Sequence, residues 1–258
     1  MTATGWPTGA MASSVRPKIE GLSPSRAFKE SHAMNPTPTL ERLRFNMIEQ
    51  QIRPWDVLES DILELLAQIH REDYVPDEHR TLSFFDMELP LLDGSVPGEI
   101  MLSPKVEART LQDLHIQKHE SVLEIGTGSG FMAALLGARA AQVLSLEINP
   151  VLAARAAETL RRNGVTNVEV RHADGAVPLP SGPSFDVIVL SGSVARIPQN
   201  LLGSLKVGGR LSAIVGEEPM MRAHFVTRTS ESKWDTIQPW DTVAPRLLNF
   251  PEPSRFAF

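Results

Sequence analysis

The chain has 258 residues, of which 42% are hydrophobic, and its formal net charge is −6. This length suits one large domain, or one domain with an appendage. The absence of cysteine excludes disulfides, thiolate catalysis and cysteine-ligated metals, and it fits a reducing, cytoplasmic compartment. The negative charge does not favour a nucleic-acid partner. No segment approaches the roughly 18 uninterrupted apolar residues of a membrane helix, so no membrane partner is expected.

Residues 1–39 differ in composition from the rest of the chain. They are rich in Ser, Thr, Pro, Gly and Ala and show no sustained apolar period. We therefore expect a disordered or loosely attached extension there. A transit peptide is one alternative, and a start at Met34, just before the ordered pattern, is another.

Residues 40–120 are predicted to form helices and loops on the substrate side of the molecule. Apolar residues recur at helical spacing from Leu40, and Pro54 should end that helix. Ser60 or Asp61 can cap a second helix. Residues 84–98 carry prolines and glycines that disfavour regular structure, and Pro104 should open a third helix.

From Ser121 onward, apolar strands alternate with helices. Strands are predicted at 121–125, 142–147, 167–172, 185–191 and 209–215, and helices at 131–139, 150–163 and 197–205. Residues 223–228 and 234–240 should add an antiparallel hairpin at one edge. The fold class predicted is α/β, with a doubly wound, mostly parallel, seven-stranded Rossmann-like sheet. Residues 121–258 would be the cofactor-binding core.

A glycine-rich turn follows the first of these strands and is predicted to hold a ligand. It reads Glu124-Ile-Gly126-Thr127-Gly128-Ser129-Gly130 and leads directly into a helix. Glycines let a ligand approach the backbone closely, and the free N–H groups at the helix start face it. A turn without further signals would be weak support for a cofactor site.

Acids at neighbouring strand ends strengthen and narrow that prediction. Glu147 ends the second strand, 17 residues beyond Gly130, and suits ribose hydroxyls. Asp174 follows the third strand and can accept from an adenine amine, while Gly175 leaves room for the base. The G-x-G-x-G spacing differs from the dinucleotide pattern, and Glu124 beside the turn suits a cationic ligand. These features favour S-adenosylmethionine over NAD.

These motifs resemble those of the protein-L-isoaspartate O-methyltransferase family. The similar segments are VLEIGTGSGF, SLEINP, Ala173-Asp174-Gly175 and FDVIVLSG, together with upstream Val75-Pro76 and Asp86-x-x-Leu89-Pro90. The resemblance covers roughly residues 40–216. It implies methyl transfer from S-adenosyl-L-methionine to the carboxylate of isoaspartyl residues in damaged proteins or peptides. The cofactor residues it implies are Glu124, Gly126, Thr127, Gly128, Ser129, Gly130, Glu147, Ile148, Asp174 and Gly175.

The acceptor loop departs from the family pattern. The family has G-Q-T-I-S-x-P before the helix, and its serine is regarded as the active-site residue. Aligned on Pro104, that position holds Leu102, and Ser103 follows one place later. Ser103 is our catalytic candidate, with helix capping as the alternative. No metal-ligand spacing is present.

Two further functions are compatible with this sequence. A methyltransferase of the same scaffold could act on another substrate, and a protein that binds S-adenosylmethionine without catalysis would also fit the altered loop. The sequence carries no indication of the oligomeric state.

Overall fold

The computed structural model describes residues 39–94, 98–178 and 185–252. The extension predicted to be disordered at 1–39 lies outside these ranges except for Thr39. Thr39 caps the first helix by accepting a hydrogen bond from the Arg42 N–H at 3.3 Å. Within the described ranges, no helix is both long and apolar enough to cross a membrane.

Two helices begin the described part of the chain. Helix α1 spans Leu40–Met47 and continues through a π-helical turn, Ile48–Ile52, and a 3-10 turn, Arg53–Trp55. Pro54 is tolerated in that short turn but cannot extend an α-helix, so the helical segment ends there as predicted. Helix α2 spans Ser60–Gln68.

The predicted cap of α2 was wrong. The N-cap position is Glu59, which makes no side-chain capping bond, and Ser60 is already helical. The Asp61 carboxylate accepts from the N–H of its neighbour Ile62, at 3.0 Å. Gln112 provides the missing acceptor from another helix, because its side-chain oxygen accepts from the Glu59 N–H at 3.1 Å.

Three 3-10 turns follow α2: Arg71–Asp73, Asp77–His79 and Leu82–Phe84. The described residues between Phe85 and Gly98 are irregular, as predicted, apart from one short strand. Strands β1 (Leu89–Pro90) and β2 (Ile100–Met101) pair antiparallel, with Leu89 opposite Met101. We call residues 83–103 the acceptor loop. Helix α3, Pro104–Leu114, then begins at the predicted proline.

The rest of the chain forms one large sheet with helices. Its elements are β3 (Ser121–Ile125), α4 (Phe131–Arg139), β4 (Gln142–Glu147), α5 (Pro150–Arg162), β5 (Val168–His172), β6 (Phe185–Val194), α6 (Gln199–Gly203), β7 (Leu205–Glu217), β8 (Met220–Ser230) and β9 (Lys233–Asp241). The strand order is β5-β4-β3-β6-β7-β8-β9. The first five strands in that order are parallel, and β8 and β9 add the predicted antiparallel hairpin. The predicted fold class is confirmed.

The sheet positions the site by its strand order. The chain winds outward from β3 to β5 and then returns to place β6 on the other side of β3. This reversal leaves a crevice at the carboxyl ends of β3 and β6, where open α/β sheets bind ligands. The two central strands β3 and β6 are largely buried, and α4 is buried from Phe131 to Gly137. The crevice therefore has a rigid floor.

The segment after β9 returns to this crevice, which the sequence analysis did not foresee. We call residues 242–252 the C-terminal segment. Arg246 forms a parallel bridge with Ser193 near the end of β6. The Ser193 N–H donates to the Pro245 carbonyl at 2.7 Å, and the Leu247 N–H donates to the Ser193 carbonyl at 2.9 Å. Phe250 is buried, so the segment is anchored on both sides of the bridge.

Candidate active site

A cleft of about 390 Å³ opens at the carboxyl ends of β3, β4 and β5. Three segments enclose it: the strand ends, the acceptor loop and the C-terminal segment. Six of the predicted cofactor residues line this cleft: Gly126, Gly128, Glu147, Ile148, Asp174 and Gly175. The crevice expected from the strand ends is therefore present and accessible to a ligand.

The glycine turn takes a backbone shape that side chains disfavour. Gly126 and Gly128 have φ values of +92° and +54°, in the region that glycine adopts at no steric cost. A Cβ on Gly126 would lie 3.0 Å from a Leu247 side-chain carbon, and one on Gly128 would lie 3.3 Å from Leu91. The turn thus needs glycine both for its own conformation and for its close contact with the two loops above it.

Glu147 ends β4 inside the cleft and binds the turn. One carboxylate oxygen accepts from the Gly128 N–H at 2.8 Å, and the other accepts from the Asn149 N–H at 2.9 Å. A carboxylate oxygen has more than one acceptor position, so both can still bind hydroxyl groups. Glu147 therefore fixes the turn and presents an anionic edge to the cleft.

The Asp174 carboxylate lies at the next strand end. It accepts from the Ala176 N–H at 2.9 Å and from the Asn249 side-chain amide at 2.7 Å. The space beside Gly175 has a different occupant from the one the sequence suggested: a Cβ there would overlap the Ile125 side chain. The need for glycine at this position follows from packing within the protein.

Glu124 lies beneath the turn and does not line the cleft. Its side chain is fully buried, and its oxygens accept from the hydroxyls of Ser145 at 2.6 Å and Ser191 at 2.8 Å. Burial raises the pKa of Glu124 to about 7, although both serine hydrogen bonds lower it. Of these groups, Ser191 reaches the cleft wall. Glu124 thus supports the site from behind instead of facing a cation directly.

The remaining turn residues also support the structure from outside the cleft. The Thr127 and Ser145 hydroxyls lie 2.6 Å apart, which extends the network around Glu124. The Ser129 hydroxyl accepts from the Phe131 N–H at 3.2 Å at the start of α4. Gly130 precedes that helix with φ of +85° and lies close to α5. These contacts explain the residue types without a ligand.

Arg71 is buried and binds the backbone of the acceptor loop. It is 1% exposed, and its guanidinium donates to the carbonyls of Ser83, Met87 and Leu102 at 3.0–3.1 Å. One side chain therefore ties together three points of a loop that has little regular structure. Nothing in the local sequence pattern distinguished this arginine from a surface residue.

The structure separates the two candidate positions at the end of the loop. Leu102, at the family serine position, is buried beside Met132 and Val106 around a small internal cavity. Ser103 is half-buried at the N-cap position of α3, and its side chain makes no capping hydrogen bond. Ser103 therefore occupies the N-cap position that the alternative expected, but it does so without a side-chain capping bond. Its catalytic role stays a prediction.

The C-terminal segment and Asn149 are the parts of the site that sequence reasoning missed. Arg246, Leu247, Leu248 and Phe250 all line the cleft. The Asn149 side chain caps α5 and donates to the Glu99 carboxylate at 2.6 Å, which joins β4 to the acceptor loop. The Asn149-Pro150 pair is a signal that predicts a helix start. The bond from the Asn149 side chain to Glu99, 50 positions earlier in the chain, could not be predicted from the sequence.

The residues present fit S-adenosylmethionine. Gly126 and Gly128 put backbone without side chains at the cleft wall, Glu147 and Asp174 offer acceptors at adjacent strand ends, and Ile148 and Phe250 supply apolar wall. Apolar walls with a few polar groups are typical of cofactor sites. The fold and site together define a Rossmann-like, S-adenosylmethionine-dependent methyltransferase.

Comparison with known proteins gives the family. Residues 43–239 match the model of protein-L-isoaspartate(D-aspartate) O-methyltransferase (PCMT), and the chain belongs to this family. A protein-L-isoaspartate O-methyltransferase of Methanoculleus marisnigri is 39% identical over 175 residues, which cover 68% of this chain and 78% of that one. A protein-L-isoaspartate O-methyltransferase 2 of Marinobacter nauticus is 34% identical over 197 residues, or 76% and 88% of the two chains. The resemblance seen in the sequence is confirmed.

Solved structures show the same fold. A putative protein-L-isoaspartate O-methyltransferase of Plasmodium falciparum, in complex with S-adenosyl-L-homocysteine, superposes with a TM-score of 0.65 at 17% identity. The match covers 82% of this chain and 99% of that one. A second structure of a protein-L-isoaspartate O-methyltransferase gives a TM-score of 0.66 at 21% identity, covering 80% and 65%. The C-terminal segment lies beyond the residues that the family model matches.

Proposed function

We propose that this protein transfers a methyl group from S-adenosylmethionine to the carboxylate of isoaspartyl residues in proteins or peptides. The observation that carries the proposal is the cleft itself. In a chain that matches the family over residues 43–239, Glu147 and Asp174 stand at adjacent strand ends above a turn formed by Gly126 and Gly128. We include two further points in this proposal. Repair of damaged proteins follows from the isoaspartyl acceptor, and a cytoplasmic location fits a chain that contains no cysteine.

The proposed roles of the cofactor residues follow from their chemistry. Glu147 accepts from ribose hydroxyls, and Asp174 accepts from the adenine amine. Ile148 supports the base with its apolar side chain. Gly126 and Gly128 admit the rest of the cofactor, while Glu124 positions Ser191. Thr127, Ser129 and Gly130 keep the turn in shape.

The reaction asks little of the protein beyond alignment. When bound, S-adenosylmethionine supplies a methyl group on a positively charged sulfonium. Held by Glu147 and Asp174, it would supply the methyl group to the acceptor oxygen: one O–C bond would form as one C–S bond breaks, and the carboxylate and sulfonium charges would cancel. A carboxylate is already a nucleophile at neutral pH, so no general base is required. The chain must orient the oxygen and exclude water.

We further propose a division of labour along the chain. Residues 121–258 form the cofactor core, and residues 40–120 form most of the acceptor side. Ser103 is the proposed source of a hydroxyl at the acceptor. This is supported by its place at the end of the acceptor loop and by the absence of a capping bond to its side chain.

A methyl-transfer assay tests the proposal. The protein is incubated with radiolabelled S-adenosylmethionine and an isoaspartyl peptide, with the matched aspartyl peptide as the control. Base-labile methyl ester on the isoaspartyl peptide alone is the expected result. Cofactor binding in calorimetry without transfer would favour another substrate or a non-catalytic role. Lack of cofactor binding would refute all three.

A further inference from the structure

The cleft presents an electrostatic problem to a carboxylate acceptor. Three acids are among the described residues that line it: Glu99, Glu147 and Asp174. The negative charges of these carboxylates oppose the entry of another anion. Arg246 is the one basic residue among the described residues that line the cleft. An acceptor carboxylate would therefore be drawn to one place in this wall.

The backbone of the C-terminal segment sets the position of Arg246. Arg246 forms a backbone bridge with Ser193, near the end of β6. Ser193 lies two residues after Ser191, which lines the cleft. The guanidinium donates to the Gly216 carbonyl at 3.0 Å and lies 3.4 Å from the Ser193 hydroxyl. A Cβ built on Gly98 of the acceptor loop would lie 3.9 Å from the Arg246 carbonyl oxygen. Arg246 thus stands where the cofactor core meets the acceptor loop.

A carboxylate already binds the free edge of this guanidinium. The Nε atom of Arg246 lies 3.0 Å from a Glu252 carboxylate oxygen. The Glu252 side chain is 49% exposed and that of Arg246 is 27% exposed. An exposed ion pair of this kind contributes little stability, so another carboxylate can replace Glu252 at small cost.

We propose that Arg246 binds the carboxylate of the methyl acceptor and that Glu252 is its resting partner. This inference rests on the proposed function and names the group that recognises the acceptor. Gly216 and Ser193 hold the other side of the guanidinium, so one donor edge grips one carboxylate oxygen. The second oxygen stays free for the methyl group. Arg246 is a specificity-determining residue in this scheme.

The same contact favours the release of product. Methylation converts the carboxylate into a neutral ester, which loses the charge-assisted part of its hydrogen bond to the guanidinium. Glu252 keeps its charge and can then return to Arg246. Arg246 would thus bind the charged substrate and release the neutral product, because methylation removes the charge of the acceptor carboxylate.

Peptide binding to the complex with S-adenosylhomocysteine tests this inference. Calorimetry compares an isoaspartyl peptide with the matched isoasparaginyl peptide, whose carboxamide is uncharged. We expect wild-type protein to prefer the isoaspartyl peptide by about tenfold or more, the range for hydrogen bonds to charged groups. Arg246→Gln should bring this ratio close to one, Arg246→Lys should keep part of it, and Glu252→Gln should increase it.

Arg161→Gln is the matched control, because Arg161 forms an exposed ion pair with Glu158 near the C-terminal end of α5, away from the residues of that helix that line the cleft. It should leave the preference unchanged. Circular dichroism and S-adenosylhomocysteine affinity show that each variant is folded. If Arg246→Gln methylates the isoaspartyl peptide with an unchanged KM and keeps the preference, the inference is wrong while the proposed function stands. A wild-type complex that binds cofactor but prefers neither peptide would refute the isoaspartyl acceptor and the role of Arg246 together.

Discussion

The two sides of the cleft are built differently. The cofactor side, residues 124–175, comes from successive strand ends and is held by hydrogen bonds from nearby residues, such as Glu147 to the Gly128 and Asn149 N–H groups. The acceptor side combines the acceptor loop with the C-terminal segment, which lies more than 130 residues further along the chain. Two arginines hold it by donating to backbone carbonyls: Arg71 and Arg246.

This difference shows how a methyltransferase scaffold can change its substrate. Regular sheet geometry positions the cofactor side, because parallel strands must end at the same edge. Backbone carbonyls accept from any well-placed donor, so loop residues such as Leu102 can vary while Arg71 keeps its three bonds. Acceptor recognition can therefore change without disturbing the cofactor.

Arg71→Lys should have the largest effect on the acceptor side. Lysine keeps the charge but cannot reach three carbonyls at once, so buried acceptors lose their partners. We expect the free energy of unfolding to fall by about 3 kcal/mol, measured by urea denaturation. Methylation of peptide should fall more than cofactor affinity. Arg80→Lys, in an exposed pair with Asp73, is the control. Equal losses in both variants would mean that Arg71 does not organise the loop.

Glu147→Ala tests the cofactor side. It removes the acceptors for ribose hydroxyls and also frees the Gly128 N–H from its partner. Affinity for S-adenosylmethionine should weaken by about 1–3 kcal/mol in calorimetry. Glu169→Ala on exposed β5 is the matched control and should bind normally. Unchanged affinity in Glu147→Ala would show that another residue holds the ribose.

Glu107→Gln tests how a buried acid between the two sides affects stability. Glu107 lines a small cavity together with Leu102 of the acceptor loop and Ser191 of β6. Glu107 on α3 is buried, and one of its carboxylate oxygens has no hydrogen-bond partner among the described residues. Burial raises its pKa to about 8, Arg71 lowers it, and Glu124 raises it further. A pKa higher in the folded state than in the unfolded chain means that folding takes up a proton between about pH 4.5 and pH 8. The free energy of unfolding therefore falls as the pH rises through that interval.

Glutamine cannot lose this proton, so the variant should escape that loss of stability. Between pH 5.5 and pH 8.5, urea denaturation should show wild-type protein losing on the order of 2 kcal/mol more than Glu107→Gln. Glu158→Gln changes an exposed glutamate on α5 and should follow the wild type. Parallel pH curves for wild type and Glu107→Gln would mean that Glu107 is already ionised beside Arg71.

The same contrast explains what could be predicted from the sequence. The periodic apolar pattern indicated the sheet, and the ends of β4 and β5 indicated Glu147 and Asp174, because those features depend on neighbouring residues. The buried position of Glu124 was not readable, since it depends on serines that come from two other strands. The space at Gly175 looked like room for a base but belongs to Ile125.

Arg246 shows the limit most clearly. It lies among prolines and leucines near the end of the chain, where no periodic pattern marks an element. Its importance arises only when β6 ends beside it and supplies Ser193 as a bridge partner. Long-range contacts of this kind leave no local pattern in the sequence. The residues of the acceptor side could therefore be identified only from the structure.

Ser103→Ala should have the smallest effect. If the Ser103 hydroxyl donates one neutral hydrogen bond to the acceptor, its loss costs about 1 kcal/mol, or roughly a fivefold decrease in turnover, with cofactor affinity unchanged. Ser232→Ala in the turn between β8 and β9 is the control. If Ser103→Ala lowers turnover more than Arg246→Gln does, Ser103 is the main residue that recognises the acceptor. It would then replace the family serine from one position later in the chain. No effect would leave acceptor recognition to Arg246 and the loop backbone, and the hydroxyl at this position would then be dispensable in this chain.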